Sequence, residues 1–180
     1  TLVQGLSLSA QFSTKVDGAE AYADNEGRAY GFAAAYTNGP LSAGLSYIKA
    51  NVSVDGDQED TGVLVYGAYD FGPAKLTAYY NNDSTDTDAF GAYDDRTTYG
   101  LKVAVPVAAN VTLTGGFAQV RGALSDDFQA KGTKDDKANI FTLKAQYDLS
   151  KRTALYALFT QVNNGKASDL AIGAEANSAD

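Results

Sequence analysis

The stretch Leu6-Ser-Leu-Ser-Ala-Gln-Phe-Ser-Thr-Lys15 alternates apolar and polar side chains along most of its length. Because successive side chains of a β-strand point to opposite faces, it predicts a strand with Leu8 and Phe12 on an apolar face and Ser9 and Gln11 on a polar face. Eight further segments repeat the pattern, which predicts an all-β chain. The nine predicted segments are 5–16, 28–38, 41–52, 61–71, 75–83, 96–105, 110–121, 138–149 and 153–162.

The gaps between these segments alternate strictly between long and short. The long gaps are 17–27, 53–60, 84–95 and 122–137, and the short gaps are 39–40, 72–74, 106–109 and 150–152. Sequential antiparallel strands put alternate connections at opposite ends, and outer-membrane barrels have short periplasmic turns and long outer loops. The gap pattern therefore predicts an antiparallel transmembrane β-barrel with all four short turns on one rim.

A soluble sandwich or a lipocalin-like barrel is the alternative, because its strands also alternate but turn their apolar face inward. Periodicity alone does not separate the two. Segments of about 9–12 residues suit a tilted strand that crosses a bilayer, whereas soluble strands are usually about 5–6 residues long. Segment length, loop asymmetry and the polarity of the second face favour the membrane.

Composition excludes several classes of function. The 180 residues are enough for one domain, and no apolar run is long enough for a membrane-spanning helix. Since the chain has no Cys and no His, thiolate and imidazole metal sites, cysteine nucleophiles and histidine-dependent triads are impossible. The net charge of −8 argues against a nucleic-acid partner. We expect no enzyme activity, no catalytic residue, no metal and no cofactor.

Acidic residues crowd the long gaps, where they keep loops solvated. Calcium binding is the alternative role of these acids. The segment 55–60 supplies the oxygen ligands that calcium prefers, but it lacks the spacing of an EF-hand loop. The sequence leaves calcium binding by the loop acids open.

Three hairpin phrases resemble the general porins of Gram-negative bacteria, of the β-proteobacterial type. They are Tyr36-Thr-Asn-Gly-Pro-Leu-Ser-Ala-Gly-Leu-Ser-Tyr47, Tyr69-Asp-Phe-Gly-Pro-Ala-Lys-Leu76 and Tyr147-Asp-Leu-Ser-Lys-Arg-Thr-Ala-Leu-Tyr-Ala157. The resemblance covers essentially the whole chain. It implies an outer-membrane location, a water-filled channel for passive diffusion of small hydrophilic solutes and ions, and a homotrimer. Small outward residues such as Ala34, Ala43 and Gly115 would permit close approach between subunits.

The resemblance also implies that the chain is part of a larger barrel. Such porins close with about 16 strands, and nine segments are present here. The first segment precedes a long gap, so we expect it to correspond to an odd-numbered strand, the seventh. We expect a single domain over 1–180 that forms about nine strands of that barrel, with 163–180 as an outer loop before a missing last strand. Residues missing from this chain (the N-terminal half and the last strand), another chain or an oligomer would complete the barrel. Alternatively, the sequence is incomplete and the physical protein is a whole barrel.

Two groups of cations are candidate functional residues. Cations with polar-face parity are candidates for lining the pore and for a mild anion preference: Lys15, Lys75, Arg96, Lys102 and Lys144. The acids expected on that face are mainly Asp70 and Asp148, both beside short turns. Other cations share the alternation of the apolar face and lie at the strand ends next to the long loops: Arg28, Lys49, Arg121 and Lys137. They are candidate lipopolysaccharide contacts, because Arg and Lys bind phosphate. Simple solvation and snorkelling are the respective alternatives.

The apolar face should meet lipid or a neighbouring subunit. Its expected members are Leu8, Phe12, Phe32, Tyr36, Leu45, Val65, Tyr69, Leu101, Val103, Phe117, Phe141, Leu143 and Tyr147. An extracellular adhesive or structural β-protein or fibre subunit is the second functional hypothesis, because the 12 tyrosines suit sheets that stack outside a membrane. A requirement for detergent separates the two hypotheses, since only a porin needs it.

Overall fold

The computed structural model describes residues 3–14, 28–51, 59–86, 95–122, 137–166, 168 and 170. Within these ranges the chain forms nine strands and no helix. The strands are β1 (Leu6–Ser13), β2 (Ala29–Asn38), β3 (Leu41–Asn51), β4 (Glu59–Asp70), β5 (Lys75–Asp86), β6 (Asp95–Ala108), β7 (Val111–Arg121), β8 (Lys137–Ser150) and β9 (Thr153–Asn164). Each predicted segment therefore corresponds to one strand.

All nine strands belong to one sheet whose spatial order is the order of the sequence. Every neighbouring pair is antiparallel. Consecutive antiparallel strands put alternate connections at opposite ends of the sheet, so the four short turns share one rim, as predicted. The fold is an all-β partial barrel wall.

Several predicted bounds are wrong at the strand ends. The short turn predicted at 106–109 is only Ala109 and Asn110, because β6 continues through Pro106 to Ala108 with a register shift between those two residues. A bulge tolerates proline, which has no amide hydrogen to give to the ladder. At the other rim, β4, β5 and β9 run two or three residues beyond the predicted ends, so residues 163 and 164 belong to β9 and not to a loop.

Register divides the side chains into two faces, because directly paired residues of an antiparallel sheet share a face. The apolar face is defined by the row Ala34, Leu45, Val65 and Tyr80, which are paired in that order from β2 to β5. The polar face carries the intervening residues. All thirteen side chains predicted to meet lipid lie on the apolar face by these pairings.

Burial differs between the two faces. Five apolar residues are buried among the described ranges, all on the polar face and all small or β-branched: Ala29, Ala68, Ala118, Val120 and Ala138. Large side chains of the apolar face are instead exposed, for example Leu8 at 68% and Leu143 at 62%. This is the reverse of a soluble sandwich, in which large apolar side chains fill the interior. No described helix is long and apolar enough to cross a membrane.

Two of the short turns depend on a glycine with a positive φ. Gly39 has φ of 55° between β2 and β3, and Gly72 has φ of 90° between β4 and β5. Glycine adopts this region without the steric cost of a Cβ atom. The carboxylate of Asp70 accepts a hydrogen bond from the amide of Gly72 at 2.8 Å, which fixes the start of the second turn.

Candidate functional site

On strands β2 to β4, the apolar face carries aromatic side chains toward both strand ends, with smaller residues between them. Near the short turns, Tyr69 packs on Phe71 with a ring-centroid distance of 4.7 Å. Nearer the long loops, Tyr47 contacts Phe32 at 5.2 Å and Tyr30 at 6.4 Å. Two aromatic girdles around an outward apolar band are characteristic of strands that cross an outer membrane.

Beyond the apolar band, the same face becomes polar toward the long loops. The hydroxyl of Tyr99 donates to the side-chain carbonyl of Gln119, and the Gln119 amide donates to Asn139 at 2.8 Å. The Arg121 side chain turns back over this network, with Nε 3.2 Å from Gln119 Oε1 and its guanidinium carbon 5.8 Å from the Tyr99 ring centroid. The network links β6, β7 and β8 where lipid headgroups would begin, and sequence reasoning missed it. The sequence signal for this network is the change from apolar Phe117 to polar Gln119 on the same face of β7.

The four cations predicted to contact lipopolysaccharide lie at two separate places on the sheet. Arg121 and Lys137 lie directly opposite each other on β7 and β8. The backbone carbonyl of Arg28 accepts a hydrogen bond from the Asn51 amide, which brings Arg28 beside the end of β3. Lys49, on β3, forms an ion pair with Glu59 at 2.6 Å. The sheet therefore gives one like-charged pair and one cation that a carboxylate already neutralises.

The described cations predicted to line the pore all fall on the polar face. Lys75, Arg96, Lys102 and Lys144 pair with Ala104, Asp83, Thr77 and Thr114 respectively. Lys102 and Lys144 lie near the middles of β6 and β8. Lys15 lies outside the described residues.

Acidic residues of the polar face lie at the strand ends. Asp70 and Asp148 are beside short turns, as predicted. Asp83 lies toward the long loops, and so does Asp60, because β4 begins earlier than expected. The described polar face thus carries Lys102 and Lys144 at mid-strand, whereas acids and cations are mixed toward the rims, since Asp70 pairs with Lys75 and Asp83 with Arg96. A relay of hydrogen bonds joins mid-strand and rim on β8: Lys144 Nζ donates to Gln146 Oε1 at 2.7 Å, and Gln146 Nε2 donates to Asp148 at 2.8 Å.

The calcium hypothesis for 55–60 falls partly outside the described residues. The two acids of that segment that are described, Glu59 and Asp60, are adjacent in β4 and so point to opposite faces. Glu59 is already paired with Lys49. These two carboxylates cannot share one ion.

Known proteins match this arrangement. The family described as Gram-negative porin matches residues 3–167. Outer membrane porin protein 32 of Delftia acidovorans is 36% identical over 155 residues, which cover 85% of this chain and 41% of that protein. An outer membrane porin protein of Bordetella pertussis is 30% identical over 158 residues, covering 72% of this chain and 39% of that protein. The chain thus spans about two-fifths of the length of these relatives.

A solved structure agrees on the fold. A porin structure refined at 1.8 Å resolution superposes with a TM-score of 0.64 at 20% sequence identity. The match covers 92% of this chain and 55% of that porin. At this level of identity the similarity concerns the arrangement of strands.

Proposed function

Because the chain belongs to the Gram-negative porin family, we propose that it forms part of the wall of a water-filled channel in the outer membrane, where its family is located. The channel passes small hydrophilic solutes and ions by passive diffusion. The observation that supports this most strongly is the inverted burial of the sheet. Most of its exposed large apolar side chains lie on one face, with Ile48, Tyr156 and Leu158 as exceptions, and charged side chains lie at mid-strand on the other face.

Diffusion through such a channel requires no catalysed reaction. Water fills the lumen, and the charged side chains of the wall set which ions enter readily. The relatives are named as porins and not as enzymes, and the chain has neither of the residue types, Cys and His, that most nucleophilic and metal-dependent sites require. We therefore propose no enzyme activity and no cofactor.

A mild preference for anions is part of the proposal. Lys102 and Lys144 are the charges near mid-strand on the described polar face, whereas its carboxylates lie toward the rims. In a narrow aqueous passage, fixed positive charge at the midpoint raises the local concentration of anions. The remaining lumen wall adds its own charges, so the preference refers to this part of the barrel.

Planar-bilayer recording of the protein purified from the outer membrane tests the channel and its preference together. We expect discrete conductance steps and, under a KCl gradient, a reversal potential of the sign for anion preference. The double variant Lys102→Gln with Lys144→Gln should move that potential toward cation preference. Lys137→Gln, on the opposite face of β8, is the matched control. The absence of conductance steps would overturn the channel, and an unchanged reversal potential in the double variant would overturn the lysine assignment.

Completion of the barrel by further strands belongs to the same proposal. Within the described residues, β1 and β9 each have one paired neighbour, and an unpaired backbone edge in lipid costs several kcal/mol for each unsatisfied group. The remaining porin strands, on this chain or another, would satisfy both edges. The intact mass of the purified protein distinguishes a longer chain from an assembly of chains.

A homotrimer is the proposed assembly, held by apolar faces where small residues such as Ala34, Ala43 and Gly115 allow close approach. The proposal rests mainly on family resemblance. A monomeric mass for the purified protein in mild detergent would contradict it.

Lipopolysaccharide is the proposed partner of the polar zone on the apolar face. Arg121 and Lys137, directly opposed on β7 and β8, bring two positive charges to the same place on the sheet, and a bound anion would reduce the repulsion between directly opposed like charges. A phosphate group of the outer leaflet would provide that anion. The alternative of an extracellular fibre subunit gains no support, because the apolar face is exposed along the strands and the family is an outer-membrane one.

A further inference from the structure

Two tyrosines cross the polar face in opposite directions. Tyr66 of β4 and Tyr79 of β5 are directly paired, and their outer partners are Gly44 of β3 and Gly100 of β6. A Cβ atom at Gly100 would lie 2.7 Å from both Cε1 and Cζ of Tyr79 and 2.8 Å from its hydroxyl. At Gly44 it would lie 2.7 Å from Cζ and 2.9 Å from the hydroxyl of Tyr66, and still closer to Cε1.

These distances fix how the rings lie. The ring end of each tyrosine covers the glycine of the next strand, so the side chain runs along the wall instead of standing out from it. Real Cβ atoms essentially never approach that closely, so only glycine permits this position at either site. Both tyrosines are part-exposed, which leaves ring surface open on the polar face. The ring ends of the two tyrosines lie three strands apart, over β3 and β6, and only the ring of Tyr79 is called the tyrosine platform below.

A lysine lies next to the platform. Lys102 follows Gly100 by two residues on β6 and pairs with Thr77, which precedes Tyr79 by two residues on β5. Residues two apart on one strand share a face at a spacing of about 7 Å, within the span of one aromatic ring and an attached carboxylate. Lys102 is exposed and has no ion-pair or hydrogen-bond partner within the ranges that the structure describes.

We propose that Tyr79 and Lys102 form a binding site for aromatic carboxylates on the channel wall. The ring of the solute stacks on the tyrosine platform, and its carboxylate pairs with the Lys102 ammonium. Offset stacking and charge pairing each favour such a solute over one that lacks either group. The proposal rests on the proposed function for access, since solute reaches the platform from the lumen.

A purely structural role for the tyrosines is the competing explanation, because an aromatic ring also shields the backbone of a glycine on the adjacent strand. The two explanations differ in their consequences. Shielding predicts a stability change when the tyrosine is shortened and no dependence on the solute. Binding predicts discrimination between solutes that share a charge and differ only in aromaticity.

Block of single-channel current by benzoate, compared with cyclohexanecarboxylate, measures that discrimination in the protein purified from the outer membrane of a porin-deficient host. We expect benzoate to block with an affinity about two- to twelvefold higher, the equivalent of one stacked pair. Tyr79→Leu should reduce that ratio toward one, whereas Tyr66→Leu should keep it, because the Tyr66 ring lies over β3, three strands from Lys102. Lys102→Gln should weaken both solutes together and keep the ratio. Tyr80→Leu, the adjacent residue on the opposite face, is the matched control.

Equal block by the two solutes in the wild-type protein would overturn the site, and so would a ratio that survives Tyr79→Leu. Ligand-observed NMR with benzoate and detergent-solubilised protein reads binding without requiring current. Benzoate binding that depends on Tyr79 in a protein without conductance would retain the site and refute the channel. Conductance without selective benzoate binding would retain the channel and refute the site.

Discussion

The assignment of the two faces has a direct test in one pair of substitutions. Leu143→Arg and Thr142→Arg introduce the same charge at nearly the same depth on opposite faces of β8 (Lys137–Ser150). Leu143 is 62% exposed, lies near mid-strand and has Gly115 and Phe159 as its cross-strand partners. Thr142 lies between Gly116 and Thr160 on the polar face.

The expected cost in folding free energy is larger for Leu143→Arg than for Thr142→Arg. An arginine on the lipid face near the bilayer midplane costs about 2–4 kcal/mol, which lowers the ratio of folded to unfolded protein about 30- to 900-fold. On the polar face, Thr142→Arg meets water and the ammonium of Lys144, a like charge whose repulsion across water is about 1 kcal/mol or less. The predicted difference between the variants is therefore at least about 1 kcal/mol.

Urea titration of protein folded into lipid vesicles measures both effects, with the folded fraction read by gel mobility. The midpoint should fall clearly for Leu143→Arg and only slightly for Thr142→Arg. Equal midpoints for the two variants would refute the assignment of the apolar face to lipid. A lower midpoint for Thr142→Arg than for Leu143→Arg would mean that the polar face meets lipid instead.

Three further outcomes follow from the structure. The double variant Arg121→Gln with Lys137→Gln should reduce the amount of lipopolysaccharide that co-purifies with the protein, measured by phosphate assay. Lys49→Gln should reduce that amount less, because Lys49 is already paired with a carboxylate. Equal reductions in the two proteins would contradict the phosphate role. The same double variant should leave single-channel conductance nearly unchanged, and a large shift would mean that these side chains face the lumen. Gly122→Ala should lower the urea midpoint more than Gly39→Ala, because φ is positive at both but a Cβ atom at 122 would meet the backbone of the adjacent strand while none lies within 4 Å at 39.

The hairpin order and the face of each side chain were predictable because two signals repeat along the whole chain. Alternation specifies the faces within the membrane, where one face must be apolar. The strand ends were less predictable, because that requirement ends at the lipid headgroups. At Glu59 to Thr61 and at Asn82 to Asp86 both faces are polar, so alternation disappears although the ladder continues.

The candidate sites were predictable only in part. Parity alone assigned Lys75, Lys102 and Lys144 to one face, and the register agrees. It could not reveal that Tyr66 reaches Gly44, because cross-strand partners depend on turn lengths and bulges. The error at Pro106 had a related cause, since proline indicates a turn in the sequence but occupies a bulge in the sheet.

Pairing only between sequence neighbours makes the register of each strand depend on the strand before it. A slip of one residue across a short turn would exchange the two faces of the strand that follows it. Removing one residue from the two-residue turn at Gly39 would therefore exchange the faces of β3 relative to β2, whereas the removal of one residue from a long loop would be absorbed there. The short turns therefore fix the register of the strands they join, and insertions and deletions should be tolerated only in the loops of the opposite rim.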